Sequence, residues 1–482
     1  MLPSEMRSKG GVYYTPPALV GRLLDAAEAA GIDWATAHVL DPACGGGAFL
    51  GPVASRMIEH LRGCNRRVIV RNIATRLRGL EIDPFAAWMS QTFLAATLHS
   101  ALDGAGGSIG EAITVCDSLT HRSCETFDLV IGNPPYGRIT LTKEEREPFR
   151  RSLFGHANLY GVFLDLAVHK AKADGGVIAY VTPTSFLSGE YFKNLRGLLA
   201  AEANPVSLDL VSERTGIFDG VLQETMLAVF RRGEQVRSPA VSFVEATEAK
   251  LSRKRGGDIA LPEDPQAPWV LPRSPRAVGL ARRMSAMPDR LADWGYKVST
   301  GPLVWNRYKE QLRTRASRST VPIIWAEAVS ADGEFLLRSD RRNHLPFLHL
   351  EASDEWLRVK RGCVLLQRTT AKEQARRLVA AELPQGVVDE HGSVTVENHL
   401  NMLIPLVERP KVDTQTLAAF MNSAVADEAF RCISGSVAVS AYEIESLALP
   451  PHEDMRQLSI VLRNHPTRIE IDRTCAEIYG TP

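Results

Sequence analysis

Residues 11 to about 230 alternate short apolar runs with turn signals and helical patterns, and this alternation constrains the fold more than any other feature. HVLDPAC, LRGLEID, ITVCD, FDLVIGNPP and GVIAYVTP are each only a few residues long, and most lead through a loop into a segment with helical spacing. That order predicts a parallel α/β sheet, because parallel neighbours need a long crossover rather than a tight turn. Composition supports a folded chain: 45% apolar and 23% charged residues are ordinary for a globular protein and exclude a mainly disordered one. No apolar run approaches the roughly 20 residues of a membrane helix. MLPSEMRSKGG lacks the apolar core of a signal peptide. The seven cysteines are scattered and form no C-x-x-C pair, so neither a metal centre nor a disulfide framework is expected. The expected compartment is a reducing cytoplasm.

The alternation stops near residue 235. Residues 236–290 are rich in Pro, Gly and charge, as in LPEDPQAPWVLPRSP, and read as a linker. From 291 to 482, short β-like runs (PLVWN, VPIIWAEAV, CVLLQRTT, SVTVE) and a helical stretch near 415–431 suggest an α+β domain. The expected organisation is an α/β domain over 1–235, a linker over 236–290 and a second domain over 291–482.

Four segments of the first domain carry chemistry. In VLDPACGGGAFL a strand ends at Asp41, three glycines follow, and a helix begins near Ala48. Glycines let the backbone approach a ligand, and a helix N-terminus offers free N–H groups. The dinucleotide fingerprint G-x-G-x-x-G fits poorly, since its third position is Leu50. In GLEIDP, Glu81 ends the second strand, where a carboxylate commonly accepts hydrogen bonds from ribose hydroxyls; Asp83 is a weaker candidate. The insert between these two motifs holds six arginines over residues 62–78 and no acid, a solvated face or a phosphate contact. ITVCDSL places Asp117 at a strand end, as a ligand acceptor or a simple cap. In FDLVIGNPPYG a strand delivers Asn133, Pro134, Pro135 and Tyr136 at its C-terminal edge, where open α/β sheets bind ligands. Consecutive prolines fix the backbone, so the Asn133 amide oxygen and the Pro134 carbonyl form paired acceptors suited to an exocyclic NH2 group. Tyr136 adds an aromatic face for a planar base.

GVYYTP, DPACGGGAF, GLEIDP, the Asp117 strand and NPPY, in that order, resemble the motifs of the gamma class of N6-adenine DNA methyltransferases of type II restriction-modification systems. The resemblance covers about residues 10–230. It implies a class I SAM-dependent methyltransferase fold with a Rossmann-like mixed sheet, S-adenosylmethionine (SAM) as cofactor and double-stranded DNA as partner. Thr15 would border the methionine end of SAM, with Asp41, Ala43 and Gly45 in the loop beneath it. Glu81 would hold the ribose and Asp117 the adenine amine; Ile82 and Asn133 complete the implied cofactor set. Asn133 and Pro134 would bind the target amine, with Pro135 stiffening the turn and Tyr136 stacking on the base. In PTSFLSGEYFKNLR the family places a second stacking aromatic: Phe192 is favoured, Phe186 is the alternative, and a core position on a helix face is the bland reading of Phe192. Asn158, Leu159 and Tyr160 open a helix that would line the pocket.

The implied reaction is direct methyl transfer to N6 of an adenine flipped out of the duplex. Methylation of cytosine C5 needs a cysteine nucleophile, typically after proline; Cys44 follows Ala43 in the SAM loop and does not fit. Net charge is zero, yet residues 297–377 carry sixteen Lys/Arg against nine Asp/Glu. This basic window contains Trp305, Tyr308 and Trp325 and suits a DNA-facing surface. VSTGPLVWNRYKEQL, GCVLLQRTTAKEQARRLVAAEL and VENHLNMLIP resemble the target-recognition half of BsuBI/PstI-type modification methyltransferases. That likeness implies a short palindromic site, with CTGCAG as the guess, a separate cognate endonuclease, and a monomer that methylates each strand in turn. Arg307, Lys309, Arg368, Thr369 and Lys372 are the DNA-contact candidates. Asn398 and His399 would touch bases or cap a turn. Two other readings stand beside this one: a protein-glutamine or RNA amino-group methyltransferase, and an inactive SAM-fold DNA-binding subunit.

Overall fold

A computed structural model of the protein describes residues 15–101, 112–211, 224–246, 251–341, 343–369, 376–436 and 438–480. The chain divides into two compact units, Met1–Trp269 with Arg273–Pro275, and Val270–Pro272 with Arg276–Pro482.

The first unit is built on one nine-stranded sheet. Its strands are β1 (Val39–Asp41), β2 (Leu77–Glu81), β3 (Ile113–Val115), β4 (Leu129–Gly132), β5 (Val177–Pro183), β6 (Ala203–Val211), β7 (Thr225–Arg232), β8 (Ala240–Ala246) and β9 (Leu251–Asp258). They lie in the order β9-β8-β6-β7-β5-β4-β1-β2-β3. Strands β1 to β5 pair in parallel, β7 runs antiparallel between β5 and β6, β8 is parallel to β6, and β9 closes the edge antiparallel. The alternation accounts for the parallel strands β1 to β5, and the antiparallel β7 and β9 make the sheet the mixed one that the resemblance implies. The order reverses between β1 and β4, which makes their C-terminal ends the natural ligand crevice.

Period-two alternation sets the two faces. Val39, Leu129, Ile131, Val177 and Ala179 enter one core. Leu40, Val130, Ile178 and Tyr180 alternate with them and are also buried, as in a sheet covered on both sides. Helices α1 (Pro17–Ala29), α2 (Leu50–His60), α3 (Arg66–Arg76) and α4 (Pro84–Ala101) flank the first half, and α5 (Leu159–Lys170) and α6 (Lys193–Glu202) the second. Helix α1 opens with proline at its first position, where no intrahelical N–H is needed. Its Leu19, Val20, Leu23 and Leu24 are buried, contributing about 1.5–3 kcal/mol each.

Ala240–Ala246 and Leu251–Asp258, inside the segment read as a linker, form β8 and β9 of this sheet. The charge in LSRKRGGD belongs to an exposed edge strand, where lysine and arginine discourage further pairing. Composition alone does not separate such an edge from a loop. In the arginine-rich insert, Arg76 is buried and donates to the carbonyls of Trp34 and Ala37, so this member of the set is structural.

The second unit is α+β. Strands Tyr296–Thr300, Leu400–Pro405, Cys363–Gln367 and Ala380–Leu383 form an antiparallel sheet in that order. Helices Thr414–Met421, Ala424–Ile433, Met455–Leu462 and Arg468–Ile478 contribute to one core, while Val388, Val394 and Val396 belong to another. Among the described residues no helix is long and apolar enough to cross a membrane.

Candidate active site

Asp41 ends β1 with its side chain 1% exposed. Oδ1 accepts the Ala43 N–H at 3.1 Å, while Oδ2 is buried with no hydrogen-bond partner. Burial pushes this carboxyl up to about 8; the Ala43 N–H opposes the shift and the nearby Glu81 charge adds to it. Gly132, at the end of β4, makes room for it: a Cβ there would stand 2.7 Å from Asp41 Oδ1. Tyr180 on β5 is buried with an unpartnered hydroxyl, and its proton is held more tightly through burial and the Asp41 charge.

The glycine turn after β1 is held from two sides. Gly45 donates its N–H to Glu81 Oε2 at 2.8 Å, and Asp83 N–H binds the other carboxylate oxygen at 2.9 Å. Gly47 has φ +88°, and a Cβ there would meet Ser90 Oγ of α4 at 2.8 Å, so only glycine fits the turn under that helix. Above Gly45 a Cβ would meet nothing within 4 Å, leaving space for a ligand. Ile82 is 68% exposed just after β2, and Val115 is exposed at the end of β3, forming an apolar shelf beside Glu81. Asp117 is exposed and caps its own turn through Leu119 N–H, while Ser118 Oγ donates to the Pro42 carbonyl and joins this turn to the glycine loop. Cys44 is buried, and burial raises its thiol well above the usual range, which leaves no thiolate nucleophile there.

Asn133 follows β4 and is oriented at both ends. Its Nδ2 donates to Thr15 Oγ1 at 3.0 Å, and its Oδ1 accepts the Tyr136 hydroxyl at 2.6 Å. Thr15 is buried, so the first described residue of the YTP element reaches the NPPY turn directly. Pro134 is buried and Pro135 partly exposed. The Tyr136 ring meets Tyr160 edge-on at 6.1 Å, and Tyr160 meets Phe192 at 5.2 Å. Tyr160, at the start of α5, is fully buried and hydrogen-bonded to Ser185. Phe186 is fully buried against Phe230 and Trp269 and has no face to offer a base. Phe192 is half-buried, its ring close to Gly161 and Gly189. Beside it, Tyr191 is 49% exposed, an open aromatic that residue spacing did not single out. Asn158, Leu159 and Tyr160 do open α5, and Asn158 Oδ1 is buried without a partner.

All of these residues belong to the first unit. In the second, Arg307 is exposed in the turn Trp305–Arg307, and Lys309 Nζ lies 5.7 Å from the Trp305 ring centroid. Arg368 donates its backbone N–H to the His399 carbonyl and its guanidinium to the Asn398 carbonyl, and Thr369 bridges to Ala438. Asn398 N–H donates to the Leu303 carbonyl, tying the Arg307 turn to the same corner. Lys372 lies outside the described residues.

Residues 78–218 match the Eco57I restriction-modification methylase family. The chain is 27% identical over 377 residues to the type II methyltransferase M.BsuBI of Bacillus subtilis, covering 75% of this chain and 73% of that protein. It is 26% identical over 350 residues to the type II methyltransferase M.PstI of Providencia stuartii, covering 71% and 68%. The type IIL restriction-modification enzyme MmeI, solved in complex with DNA, shares the fold with a TM-score of 0.52 at 14% identity, covering 97% of this chain and 72% of that one. The likeness to type II restriction-modification methyltransferases read from the ordered motifs is borne out, and with it the methyltransferase fold.

Proposed function

We propose that this chain, kin to the methylases of restriction-modification systems, transfers a methyl group from S-adenosylmethionine to N6 of an adenine swung out of double-stranded DNA. The observation that carries the reading is the oriented Asn133, whose amide oxygen and the following Pro134 carbonyl lie at the C-terminal edge of β4, beside the switch point. The residues around β1 and β2 suit the cofactor. Asp41 Oδ2 is a buried acceptor in want of a cation and fits the methionine ammonium; Glu81 fits the ribose, and Ile82 with Val115 the adenine ring. Asp117 is exposed where it can take the adenine amine.

When bound, the cofactor supplies a methyl group made electrophilic by its sulfonium. The target amine is a poor nucleophile because its lone pair is delocalised into the ring. Asn133 Oδ1 and the Pro134 carbonyl accept its two N–H bonds, favour a more tetrahedral nitrogen and stabilise the positive charge that develops there. Transfer would form the N–C bond as the methyl–sulfur bond breaks, the sulfur leaving as a thioether with the bonding electrons and the surplus proton on the amine passing to water. No covalent enzyme intermediate is required. Tyr136 already donates to Asn133 Oδ1, and an amide oxygen has two lone pairs, so the incoming amine shares that oxygen or displaces the hydroxyl. Tyr136 and Phe192 are the stacking candidates, with Arg307, Lys309, Arg368 and Thr369 as contacts to the duplex.

The same two acceptors fit any planar NH2 group, including a glutamine amide. The basic window of the second unit favours DNA. A short palindrome, CTGCAG as the specific guess, a separate cognate endonuclease and a monomer working in the cytoplasm on one strand at a time complete the proposal. Base-resolved sequencing of DNA from cells expressing the protein tests it, with N6-methyladenine in one short motif as the expected result. Asn133→Ala should abolish that signal while SAM binding persists. An unmodified genome, or near-normal transfer by Asn133→Ala, would overturn the reading.

A further inference from the structure

Three imidazoles among the described residues lie within ion-pair distance of a carboxylate, all in the second unit. Two are sheltered. His344 is stacked on Trp325 at 3.9 Å and bound to Glu327, with side chains 12% and 11% exposed. His452 beside Asp289 is 27% exposed and its partner 17%. The third inverts the arrangement: His399 is 61% exposed while Glu397 is 2% exposed. Both oxygens of this buried carboxylate serve the histidine, Oε1 at 2.6 Å from the ring Nδ1 and Oε2 accepting the His399 backbone N–H at 2.9 Å.

Burying a carboxylate is costly unless it is fully hydrogen-bonded. Here it fixes the direction of a solvent-facing ring. In the neutral ring, an Nδ1–H donated to Glu397 leaves the lone pair on the outward Nε2. The corner is also rigid. Leu400 pairs with Gln367 at the end of the antiparallel strands, so His399 and Arg368 each stand one step beyond the ladder. Arg368 is bonded to the carbonyls of both His399 and Asn398, and its own carbonyl accepts Val439 N–H. Gly301 abuts the same turn, where a Cβ would come within 2.3 Å of the Glu397 carbonyl.

We infer that His399, held by buried Glu397, reads a base edge in the DNA site, its Nε2 accepting from the exocyclic amine of an adenine or cytosine in the major groove. Both bases present that amine as a donor there. The inference rests on the proposed DNA methyltransferase activity. Glu397 is a positioning residue, and Arg368 supplies a cationic neighbour for the backbone or an adjacent base.

The test is motif mapping in cells expressing the wild type, His399→Ala and Glu397→Gln, with methylation rates on duplexes in which each position of the wild-type motif is varied in turn. His399→Ala should relax discrimination at one base pair of the motif, by about 5- to 150-fold. Discrimination at the other positions and SAM affinity should not move, and Glu397→Gln should show a weaker form of the same defect. A wild type that methylates while His399→Ala keeps every preference overturns the assignment and leaves Glu397 as a turn cap. Loss spread evenly over all positions is the other overturning result. A wild type that leaves DNA unmodified sinks the functional reading and this inference together.

Discussion

Asp41 concentrates the residue-scale consequences. Its carboxyl titrates near 8 in the folded chain against an ordinary 3.8, so the folded state holds a proton at neutral pH that the unfolded chain has released. The contribution of this group to stability therefore falls as pH climbs from about 4 to about 8 and levels off above. A ligand ammonium at Oδ2 would expel that proton. SAM binding at pH 7 should release up to one proton, measured by calorimetry in buffers of different ionisation enthalpy, and Asp41→Asn should abolish the release; equal heats in all buffers for the wild type would refute it. Thr15 acts on the amide of Asn133. Thr15→Val keeps the shape but loses the acceptor for Nδ2, so the amide is free to flip and the transfer rate should fall by about ten-fold or more, the loss of one oriented hydrogen bond to a polar group. Single-turnover rates at saturating SAM and DNA report this, and an unchanged rate would mean that the turn alone orients Asn133. Asp41, Glu81 and Asn133 were legible as candidate residues because each stands at the end of a strand or just after one. The contact that orients Asn133 was not, since its hydrogen bond to Thr15, 118 positions away, leaves no local pattern.

At the scale of elements, the turns 184–192 and helix α6 are joined by one side chain. Arg196 is fully buried, and its guanidinium donates to the carbonyls of Phe186, Gly189, Gln266 and Ala267. It closes the turn that carries Phe192 and fastens residues 266–267 to the same helix. Arg196→Met should cost roughly 3 kcal/mol or more, because several buried carbonyls lose a charged donor at once. Thermal unfolding checks the stability. The variant should also lose transfer rate more than SAM affinity, because the glycine loop and β2 lie elsewhere in the sheet. A melting point unchanged from wild type would show that the carbonyls find other donors. The element pattern explains what sequence could and could not foresee. Strands β1, β4 and β5 announce themselves by apolar runs buried on both faces. Strand β8 carries the same signal in AVSFVEA but sits inside a Pro-, Gly- and charge-rich stretch; strand β9 does not, since the edge strand LSRKRGGD is charged and its strand character comes only from pairing with Phe243 and its neighbours.

For the whole molecule, the neutral total hides an uneven distribution. Residues 297–377 carry seven more basic than acidic side chains, so the remainder carries the opposite surplus. DNA affinity should therefore fall steeply with salt, with a log–log slope of about 0.9 per phosphate contacted. Fluorescence anisotropy across about 50–200 mM salt measures it. Replacing Arg307 and Lys309 together should lower the slope by up to about two; an unaltered slope would remove that turn from the DNA surface. The sequence by itself determined the α/β class, the order of the motifs and the residue types at the ends of β1, β2 and β4, because strand periodicity, glycine turns and paired prolines are local properties of the chain. Only the tertiary structure decided which of those residues are oriented and by what. It sent Phe186 into the core and left Phe192 half-open, placed β8 and β9 in the sheet, and set an exposed His399 over a buried Glu397. These outcomes depend on burial and on contacts between distant segments, which have no signature in spacing along the chain.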